Sequence, residues 1–302
     1  MYSPVSALLQ ENFSNENLET KRIFHGRGHL YEGLEHINVD WYPPVLLVTG
    51  YKEIKSLELI VEAAKLHDVH DQIKSIVAQQ RSSKEAPSTC VWGESLEKIV
   101  VEENGLKYEV QPGVRQNAGL FLDMRPLRAW LKSYSEGKNV LNLFSYTCSL
   151  SVAALGGAAK QVVSVDMSKP SIKWGERNHA LNNHDKRAVR SVPHNILKSW
   201  GRIEKYGPYD TVIIDPPTRQ IGSFDAEKDY TKVIKKLSRL CKPGADVIAT
   251  LNSPYLGPDH LPHLMQRYQS KFRLVGDFPV SPEFEDKYPE RALKIHHFKC
   301  PS

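Results

Sequence analysis

The segment Asp215-Pro216-Pro217-Thr218 has residue types that could hold a flat ligand beside a carboxylate. It follows the apolar residues 211–214, which have the composition of a buried strand, and two successive prolines fix the backbone just beyond them. We therefore expect the Asp215 carboxylate and the neighbouring carbonyl groups to be rigid at the end of this strand. A planar heterocycle suits such a slot. The alternative is a proline-rich turn that binds no ligand.

A second carboxylate, Asp166, follows the valine-rich residues 161–165, which are typical of a strand, and lies 24 residues after Asn142. In nucleotide-binding α/β folds, an acidic side chain at this place accepts hydrogen bonds from both hydroxyl groups of a ribose. Ser168 and Pro170 follow, and the same residue types begin helices, so a helix cap is the alternative. We favour the ribose because an apolar strand and a turn of small residues precede Asp166.

That turn, residues 145–151, reads Ser-Tyr-Thr-Cys-Ser-Leu-Ser and contains no glycine. The glycine fingerprint of dinucleotide-binding folds is therefore missing, which disfavours a nicotinamide-dependent oxidoreductase. S-adenosylmethionine carries no phosphate and tolerates such a loop better. An ordinary connection between a strand and a helix is the alternative for this turn alone.

The elements that position these residues alternate between strand and helix from residue 139 onward. This order predicts a parallel, doubly wound α/β sheet that binds ligands at the carboxyl ends of its strands. The predicted strands are Val140–Phe144, Gln161–Val165, Arg190–Val192, Thr211–Ile214 and Ala245–Leu251, with a closing pair at Phe272–Gly276 and Leu293–Phe298. One predicted helix begins at Leu150, and two others span Lys169–Asn182 and Asp225–Cys241.

The sequence before residue 111 has a different organisation. Residues 1–20 are polar and read as a weakly held leader, and residues 53–82 have the apolar spacing of helices. A strand at Thr89–Trp92 and a hairpin turning at Asn104-Gly105 follow. We expect an N-terminal extension at 1–40, a small α+β substrate-recognition domain at 41–110 and the larger domain at 111–302.

Charge and cysteine content restrict the partners and the compartment. Residues 1–110 hold 11 Lys/Arg against 17 Asp/Glu, whereas residues 111–302 hold 29 against 18. The basic second part suits a polyanion such as RNA, with a solvated basic surface as the alternative. The 4 cysteines form no CxxC pair and no apolar run reaches membrane-spanning length, so we expect a cytoplasmic protein without membrane contact or metal. The sequence does not indicate an oligomeric state.

Two stretches of sequence resemble the RlmI/RlmK group of ribosomal RNA methyltransferases. Residues 116–125 read QNAGLFLDMR and are followed by Arg128, where the family has QKTGFFLDQR and a further Arg. Residues 140–147 read VLNLFSYT, similar to the family's NLFAYTGG first motif. Together with residues 164–168, Asn178 and Asp215-Pro216-Pro217, the resemblance covers about residues 100–255. It implies a Rossmann-like class I methyltransferase that uses S-adenosylmethionine in rRNA processing.

The resemblance also implies roles for individual residues. The residues expected at the cofactor are Gln116, Phe121, Asp123, Arg125, Asn142, Phe144, Ser145, Tyr146, Thr147, Asp166, Met167, Ser168, Asn178, Asn195 and Asp215. The residues expected at the reacting base are Asp215, Pro216, Pro217, Thr218 and Asn252. The sequence departs from the family where Cys148 and Ser149 replace glycines, Asn195 replaces an Asp that meets the adenine amino group, and Asn117-Ala118 replace Lys-Thr.

The methylated atom is predicted from the residues at the two strand ends. Methylation of a pyrimidine C5 needs a cysteine that adds to C6, and neither 215–218 nor 249–254 contains one. Asp-Pro-Pro-Thr and the later Asn252 resemble the RlmK branch, which methylates guanine N7 by in-line displacement. Candidate stacking aromatics are Phe121, Tyr146 and Tyr230. The alternatives are a cytosine-C5 or guanine-N2 RNA methyltransferase, a small-molecule methyltransferase and a catalytically degenerate RNA-binding module.

Overall fold

The computed structural model describes residues 2–16, 18–83, 85–220, 223–253 and 255–302. Its contacts divide the chain into two compact units. The first unit comprises residues 1–123 and 281–289, and the second comprises residues 124–280 and 290–302. The first unit thus continues beyond residue 110, where the sequence suggested a boundary, and includes a segment from near the end of the chain.

The first unit is built on a mixed sheet with the strand order β1-β2-β3-β4-β5, in which β3 and β4 run parallel and the other neighbours antiparallel. One face of this sheet packs on two helices through an apolar core that includes Val39, Trp41 and Ile60. The elements are α1 (Ser3–Phe13), β1 (Lys21–His25), β2 (Ile37–Tyr42), β3 (Val45–Gly50), α2 (Leu57–His67), β4 (Ser75–Gln80), β5 (Ser88–Gly93), β6 (Ile99–Glu103) and β7 (Leu106–Val110). β6 and β7 form the hairpin predicted around Asn104-Gly105.

The N-terminal segment is not the weakly held leader that its polar composition suggested. Val5, Leu9 and Phe13 repeat every four residues along α1 and are all buried. The Phe13 ring packs edge-on against Trp41, with 5.0 Å between the ring centroids. β1 and β2 belong to the same sheet as β3, so the segment 1–40 is built into the first unit.

The predicted helices over residues 53–82 are correct only as far as His67. The Asp68 carboxylate accepts hydrogen bonds from the backbone N–H groups of Gln72 and Ile73, at 2.9 and 2.7 Å, and turns the chain where α2 ends. The residues after this turn form β4, which pairs with β3. Ile76 and Val77 have β-branched side chains that favour a strand, and sheet pairing outweighs their helix-like spacing.

The second unit contains the predicted doubly wound sheet, with the strand order β10-β9-β8-β11-β14-β16-β15. The strands from β10 to β14 in this order are parallel, and β16 and β15 form the predicted closing pair, which is antiparallel. The elements are α3 (Arg125–Tyr134), β8 (Asn139–Leu143), α4 (Ser149–Gly156), β9 (Gln161–Val165), α5 (Lys169–Leu181), β10 (Val189–Val192), α6 (Trp200–Glu204), β11 (Tyr209–Ile214), β12 (Arg219–Gln220), β13 (Phe224–Asp225), α7 (Ala226–Ile234), α8 (Leu237–Leu240), β14 (Cys241–Leu251), α9 (His260–Tyr268), β15 (Arg273–Asp277) and β16 (Lys294–Lys299). The helix predicted over 225–241 is divided into α7 and α8, and Cys241 already belongs to β14.

In the ranges that the structure describes, no helix combines the length and the apolar character needed to cross a membrane. In those same ranges, no three His, Cys, Asp or Glu side chains come together in a way that could hold a metal ion.

Truncating Phe13 to alanine tests whether α1 is part of the folded unit. We expect Phe13→Ala to lower the free energy of unfolding by about 3–5 kcal/mol, because it leaves a cavity against Trp41. The exposed neighbour Gln10 supplies the control, and Gln10→Ala should change the free energy by less than about 0.5 kcal/mol. Urea unfolding followed by circular dichroism measures both, and equal midpoints for the two variants would contradict the packing of α1.

Candidate cofactor and substrate site

The turn that follows β8 has an unusual backbone. Phe144, Tyr146 and Cys148 have φ angles of 62°, 46° and 61°, so every second residue lies in the left-handed region. This conformation is strained for residues other than glycine. The turn is fixed to the next strand because the backbone N–H of Ser145 donates to the carbonyl of Val165 at 3.0 Å.

Asp166 joins this turn to the loop after β9. Its Oδ2 accepts a hydrogen bond from the N–H of Tyr146 at 2.9 Å, and its Oδ1 accepts one from the N–H of Ser168 at 2.8 Å. Burial raises the pKa of Asp166, and the two backbone hydrogen bonds oppose that shift. The N-cap of α5 is Ser168, whose side chain accepts from the N–H of Ser171, so the cap is not Asp166. Two hydrogen bonds leave lone pairs on both carboxylate oxygens for a ligand.

Cys148 stands where the family that this sequence resembles has glycine. The space for its side chain comes from the absence of a side chain at Gly175. A Cβ added to Gly175 in α5 would lie 2.2 Å from Cys148 Sγ and 2.7 Å from Cys148 Cβ. The buried Cys148 side chain thus occupies the space above a helix residue that has no side chain. Burial raises the pKa of the Cys148 thiol to about 11, which keeps it protonated and unreactive.

Three of the predicted cofactor residues support the turn from inside. Asn142 is buried in β8 and donates to Ser151 Oγ at 2.9 Å, while Asn178 in α5 donates to the carbonyl of Thr147 at 2.9 Å. Thr147 itself is 1% exposed. Asn178 thus holds the backbone of the turn in place, and all three side chains are closed to solvent.

A cleft lies at the carboxyl ends of β8, β9 and β10. It brings together four predicted cofactor residues, which are Phe144, Asp166, Met167 and Asn195. The Asn195 side chain accepts a hydrogen bond from the N–H of Leu197 at 3.0 Å and so begins the turn after β10. The sequence analysis missed the remaining lining residues, Ile196, Leu197, Gln220, Ser223 and Phe224.

The segment 116–125, which carries the strongest resemblance, is divided between the units. Gln116, Phe121 and Asp123 belong to the first unit and line a cavity there, whereas Arg125 begins α3 in the second unit. The side chain of Phe121 is 42% exposed. The contact of these residues with a cofactor therefore stays a prediction from the resemblance.

Asp215 follows β11 in the second unit, next to β8 and β14. Its Oδ1 accepts a hydrogen bond from Thr250 Oγ1 at 2.6 Å. Pro216 is buried, while Pro217, Thr218 and Asn252 are exposed. Thr218 Oγ1 donates to the backbone carbonyl of Asn252, which joins the loop after β11 to the loop after β14. The predicted base-binding residues thus form one rim at the carboxyl edge of the sheet.

Two buried side chains hold this rim from behind. The Tyr230 hydroxyl lies 3.2 Å from the carbonyl oxygen of Ile214 and 2.8 Å from that of Thr250, so Tyr230 links β11 to β14. Tyr230 is fully buried, and the prediction that it stacks on a base is wrong. Lys294 is 7% exposed, and its Nζ donates to the carbonyls of Ser253 and Leu256 at 3.3 Å each. Burial lowers the pKa of Lys294.

The second unit has the fold of class I methyltransferases, and comparisons with known proteins agree. The sequence matches the family of S-adenosylmethionine-dependent methyltransferases over residues 21–299, and the chain belongs to this family. A large-subunit ribosomal RNA methyltransferase K/L from Hahella chejuensis is 31% identical over 72% of this chain and 32% of its own length. The chain therefore spans about a third of the length of this relative. The match confirms the resemblance to ribosomal RNA methyltransferases that residues 100–255 suggested.

Solved structures show the same fold. A chain from Streptococcus mutans, described as a SAM-dependent methyltransferase, superposes with a TM-score of 0.83 at 24% identity and covers 98% of this chain and 80% of its own. The structure named SMU.776, described as a methyltransferase complexed with SAH, gives the same TM-score, identity and coverage: 0.83, 24%, 98% and 80%. The predicted Rossmann-like class I fold is thereby confirmed.

Adding a methyl group at Gly175 tests the clearance that Cys148 needs. We expect Gly175→Ala to weaken S-adenosylhomocysteine binding at least tenfold, because the turn that bonds to Asp166 must shift. Adding Cys148→Gly should restore binding, since it removes the sulfur and glycine adopts a φ near 61° without strain. Gly201→Ala, at a helix position with open space, is the control. Calorimetric titration measures the affinities, and normal binding by Gly175→Ala would refute this packing argument.

Lys294 can be tested through the loop that it holds. Lys294→Met keeps the aliphatic stem and removes the hydrogen bonds to Ser253 and Leu256. We expect chymotrypsin to cleave after Tyr255, which is 91% exposed, several times faster in this variant because the loop opens more often. Lys271→Met, at an exposed position, should cleave like the wild type. Unchanged cleavage in Lys294→Met would show that the buried ammonium does not hold the loop.

Proposed function

We propose that this chain transfers a methyl group from S-adenosylmethionine to N7 of a guanine in ribosomal RNA. The observation that carries the proposal is the arrangement along one sheet edge. The cleft with Asp166 lies at the ends of β8 and β9, and the Asp-Pro-Pro-Thr rim follows β11, the neighbour of β8. A methyl donor and an acceptor base bound at these two places would be adjacent.

The cleft has groups that fit the proposed cofactor. Asp166 has lone pairs left for two ribose hydroxyls, and its neighbours Phe144 and Met167 offer apolar contact. Asn195 can pair with the adenine amino group through its amide oxygen, where the resembling family has a carboxylate. S-adenosylmethionine would supply an electrophilic methyl group on its sulfonium. The structure named SMU.776, which has a similar fold, is described as complexed with SAH, and this supports S-adenosylmethionine as the ligand.

The rim suits a guanine that reacts at N7. Guanine N7 has an in-plane lone pair, so the protein does not have to remove a proton before the methyl carbon is attacked. Guanine presents N–H donors on its opposite edge, and the Asp215 carboxylate is an acceptor held in place by Thr250. Pro216 and Pro217 would shape the slot, and Thr218 and Asn252 would bond at its mouth. Catalysis then consists of positioning the base in line with the methyl group.

A pyrimidine C5 acceptor is less consistent with the site. A C5 methyltransferase needs a thiolate, but burial raises the pKa of Cys148, Cys241 and Cys300. The relative's name and the excess of basic residues after residue 110 support a ribosomal RNA substrate, which we place in the cytoplasm.

The cofactor half of the proposal is tested by titration with S-adenosylhomocysteine. We expect Asp166→Ala to weaken binding at least tenfold, which corresponds to about 1.4 kcal/mol, because the ribose loses its acceptor and the turn loses a tether. Asp185→Ala removes an exposed carboxylate from the same unit and should bind normally. If the wild type does not bind, the chain is not an unaided methyltransferase.

The substrate half needs an assay on RNA. Purified protein, labelled S-adenosylmethionine and ribosomal RNA that lacks the modification should yield 7-methylguanosine after digestion to nucleosides and mass spectrometry. Asp215→Ala should lower the rate at least 100-fold, because the base is no longer positioned. Formation of N2-methylguanosine or 5-methylcytidine instead would overturn the assignment to N7.

A further inference from the structure

The first unit carries a cationic–aromatic cluster, formed by Arg27, Tyr51 and Arg81, that the proposed reaction does not use. The Arg27 guanidinium lies over the Tyr51 ring, with 4.3 Å between its central carbon and the ring centroid. The Arg81 guanidinium lies 5.4 Å from the same centroid, and its Nη1 donates to the Tyr51 hydroxyl at 3.4 Å. One aromatic ring therefore has two guanidinium groups beside it.

The sheet brings these three residues together. Tyr51 follows β3 and Arg81 follows β4, and these strands are parallel neighbours, so their ends meet at one edge. The N–H of Arg81 donates to the carbonyl of Gly50 at 2.7 Å, and the N–H of Tyr51 donates to the carbonyl of His36 at 2.8 Å. Arg27 reaches the same edge from the turn after β1, which pairs with β2.

A close backbone approach fixes the turn that carries Arg27. A Cβ on Gly26 would lie 2.0 Å from the carbonyl oxygen of Leu34 and 2.3 Å from that of Ile37. Only glycine fits at this position. The N–H of Arg27 also faces the Asn38 side-chain oxygen at 3.4 Å. The turn is therefore packed against β2, while the Arg27 side chain remains exposed.

Two basic side chains next to the cluster differ from Arg27 and Arg81, because Arg22 is ion-paired and His25 is uncharged. Arg22 makes a two-point ion pair with the buried Asp40, at 2.7 and 3.1 Å. Burial, together with the charges of Arg22 and Arg27, lowers the pKa of His25 to about 3, so this ring is neutral. Across the described ranges, by contrast, neither Arg27 nor Arg81 forms an ion pair with a carboxylate.

Beside the cluster lies the cavity in the first unit, whose walls include Tyr51 and Arg81. Thr49 and Gln79, from the same face of the sheet, contribute polar groups to it. The combination of planar cations, an aromatic ring and a polar cavity is typical of sites where a nucleic-acid base stacks and a phosphate is neutralised.

We propose that Arg27, Tyr51 and Arg81 form a binding site for a nucleotide of single-stranded RNA. A base stacks on the guanidinium plane of the exposed Arg27, and the adjacent phosphates bond to Arg27 and Arg81. This inference rests on the proposed function, since it assigns a second contact with the same RNA. It also explains how a unit rich in acidic residues can hold a polyanion: the contact is local and does not depend on net charge.

Fluorescence anisotropy with a labelled single-stranded RNA of mixed sequence tests the site in the full chain. We expect Arg27→Gln combined with Arg81→Gln to weaken binding at least tenfold and to lower the salt slope of log Kd by about 1.4, for two lost phosphate contacts. Arg27→Lys, which keeps the charge, should weaken binding while the slope stays near that of the wild type. Tyr51→Phe should bind better than Tyr51→Ala.

Arg202→Gln combined with Arg273→Gln is the matched control, because it removes two charges at exposed positions of the second unit. Equal losses in the two double variants, or no loss in either, would overturn the site, as would a wild type that binds no single-stranded RNA. S-adenosylhomocysteine titration and the 7-methylguanosine assay separate the two proposals. If the wild type methylates RNA and the Arg27→Gln/Arg81→Gln variant has the same KM for RNA, only this site is wrong. If the wild type neither binds S-adenosylhomocysteine nor methylates RNA, the proposed function fails.

Discussion

The site depends on a single carboxylate that accepts two backbone hydrogen bonds. Asp166 links the N–H of Tyr146, in the turn after β8, to that of Ser168, at the start of α5. Hydrogen bonds to an ionised acceptor are stronger than neutral ones, and without them two N–H groups would lose their partner. The same oxygens retain lone pairs that face the cleft. Asp166 therefore builds the site and would also bind the proposed ligand.

The turn shows how a strained backbone can persist without glycine. A left-handed residue that carries a Cβ costs about 1–2 kcal/mol, and this turn contains three of them. Such a conformation survives only where surrounding contacts determine it. Here the contacts come from Asp166, from Asn178 and from the space above Gly175. The loss of the family glycine at Cys148 is thus compatible with a formed turn.

The parallel strands of the second unit could be predicted because buried parallel strands are apolar runs separated by helices. The hairpin was predictable from the residue types of its turn, because Asn104 and Gly105 adopt the positive φ angles that such a turn needs. β4 was mistaken for a helix because short apolar runs do not reveal their partner, and sheet pairing decides. α1 was missed because three buried side chains among polar ones are a weak signal.

Residue type could be used to propose site residues, whereas neighbours brought in by packing alone could not be foreseen. Asp166, Asn195 and Phe144, three of the residues proposed for the cofactor, line one cleft, and their contact with a cofactor stays a prediction. Gln220 and Phe224 reach the same cleft from short strands that no sequence pattern indicated. For Tyr230 the error lay the other way, because its aromatic ring suggested a role in base stacking that its burial excludes. Its ring is buried, and its hydroxyl ties two strand ends together, which a residue type alone could not reveal.

The supports behind the rim match the chemistry proposed for it. Methyl transfer to an atom with a free lone pair gains little from acid–base groups, so the rate depends on the alignment of two bound molecules. Alignment requires loops that do not move, and the loops after β11 and β14 are fixed to each other by Thr250, Tyr230 and Thr218. Lys294 fixes the second loop from below at the cost of burying an ammonium group. Burying a cation against backbone carbonyls is expensive for stability, and Lys294 is understandable under this loop if the position of Asn252 matters more than the energy lost.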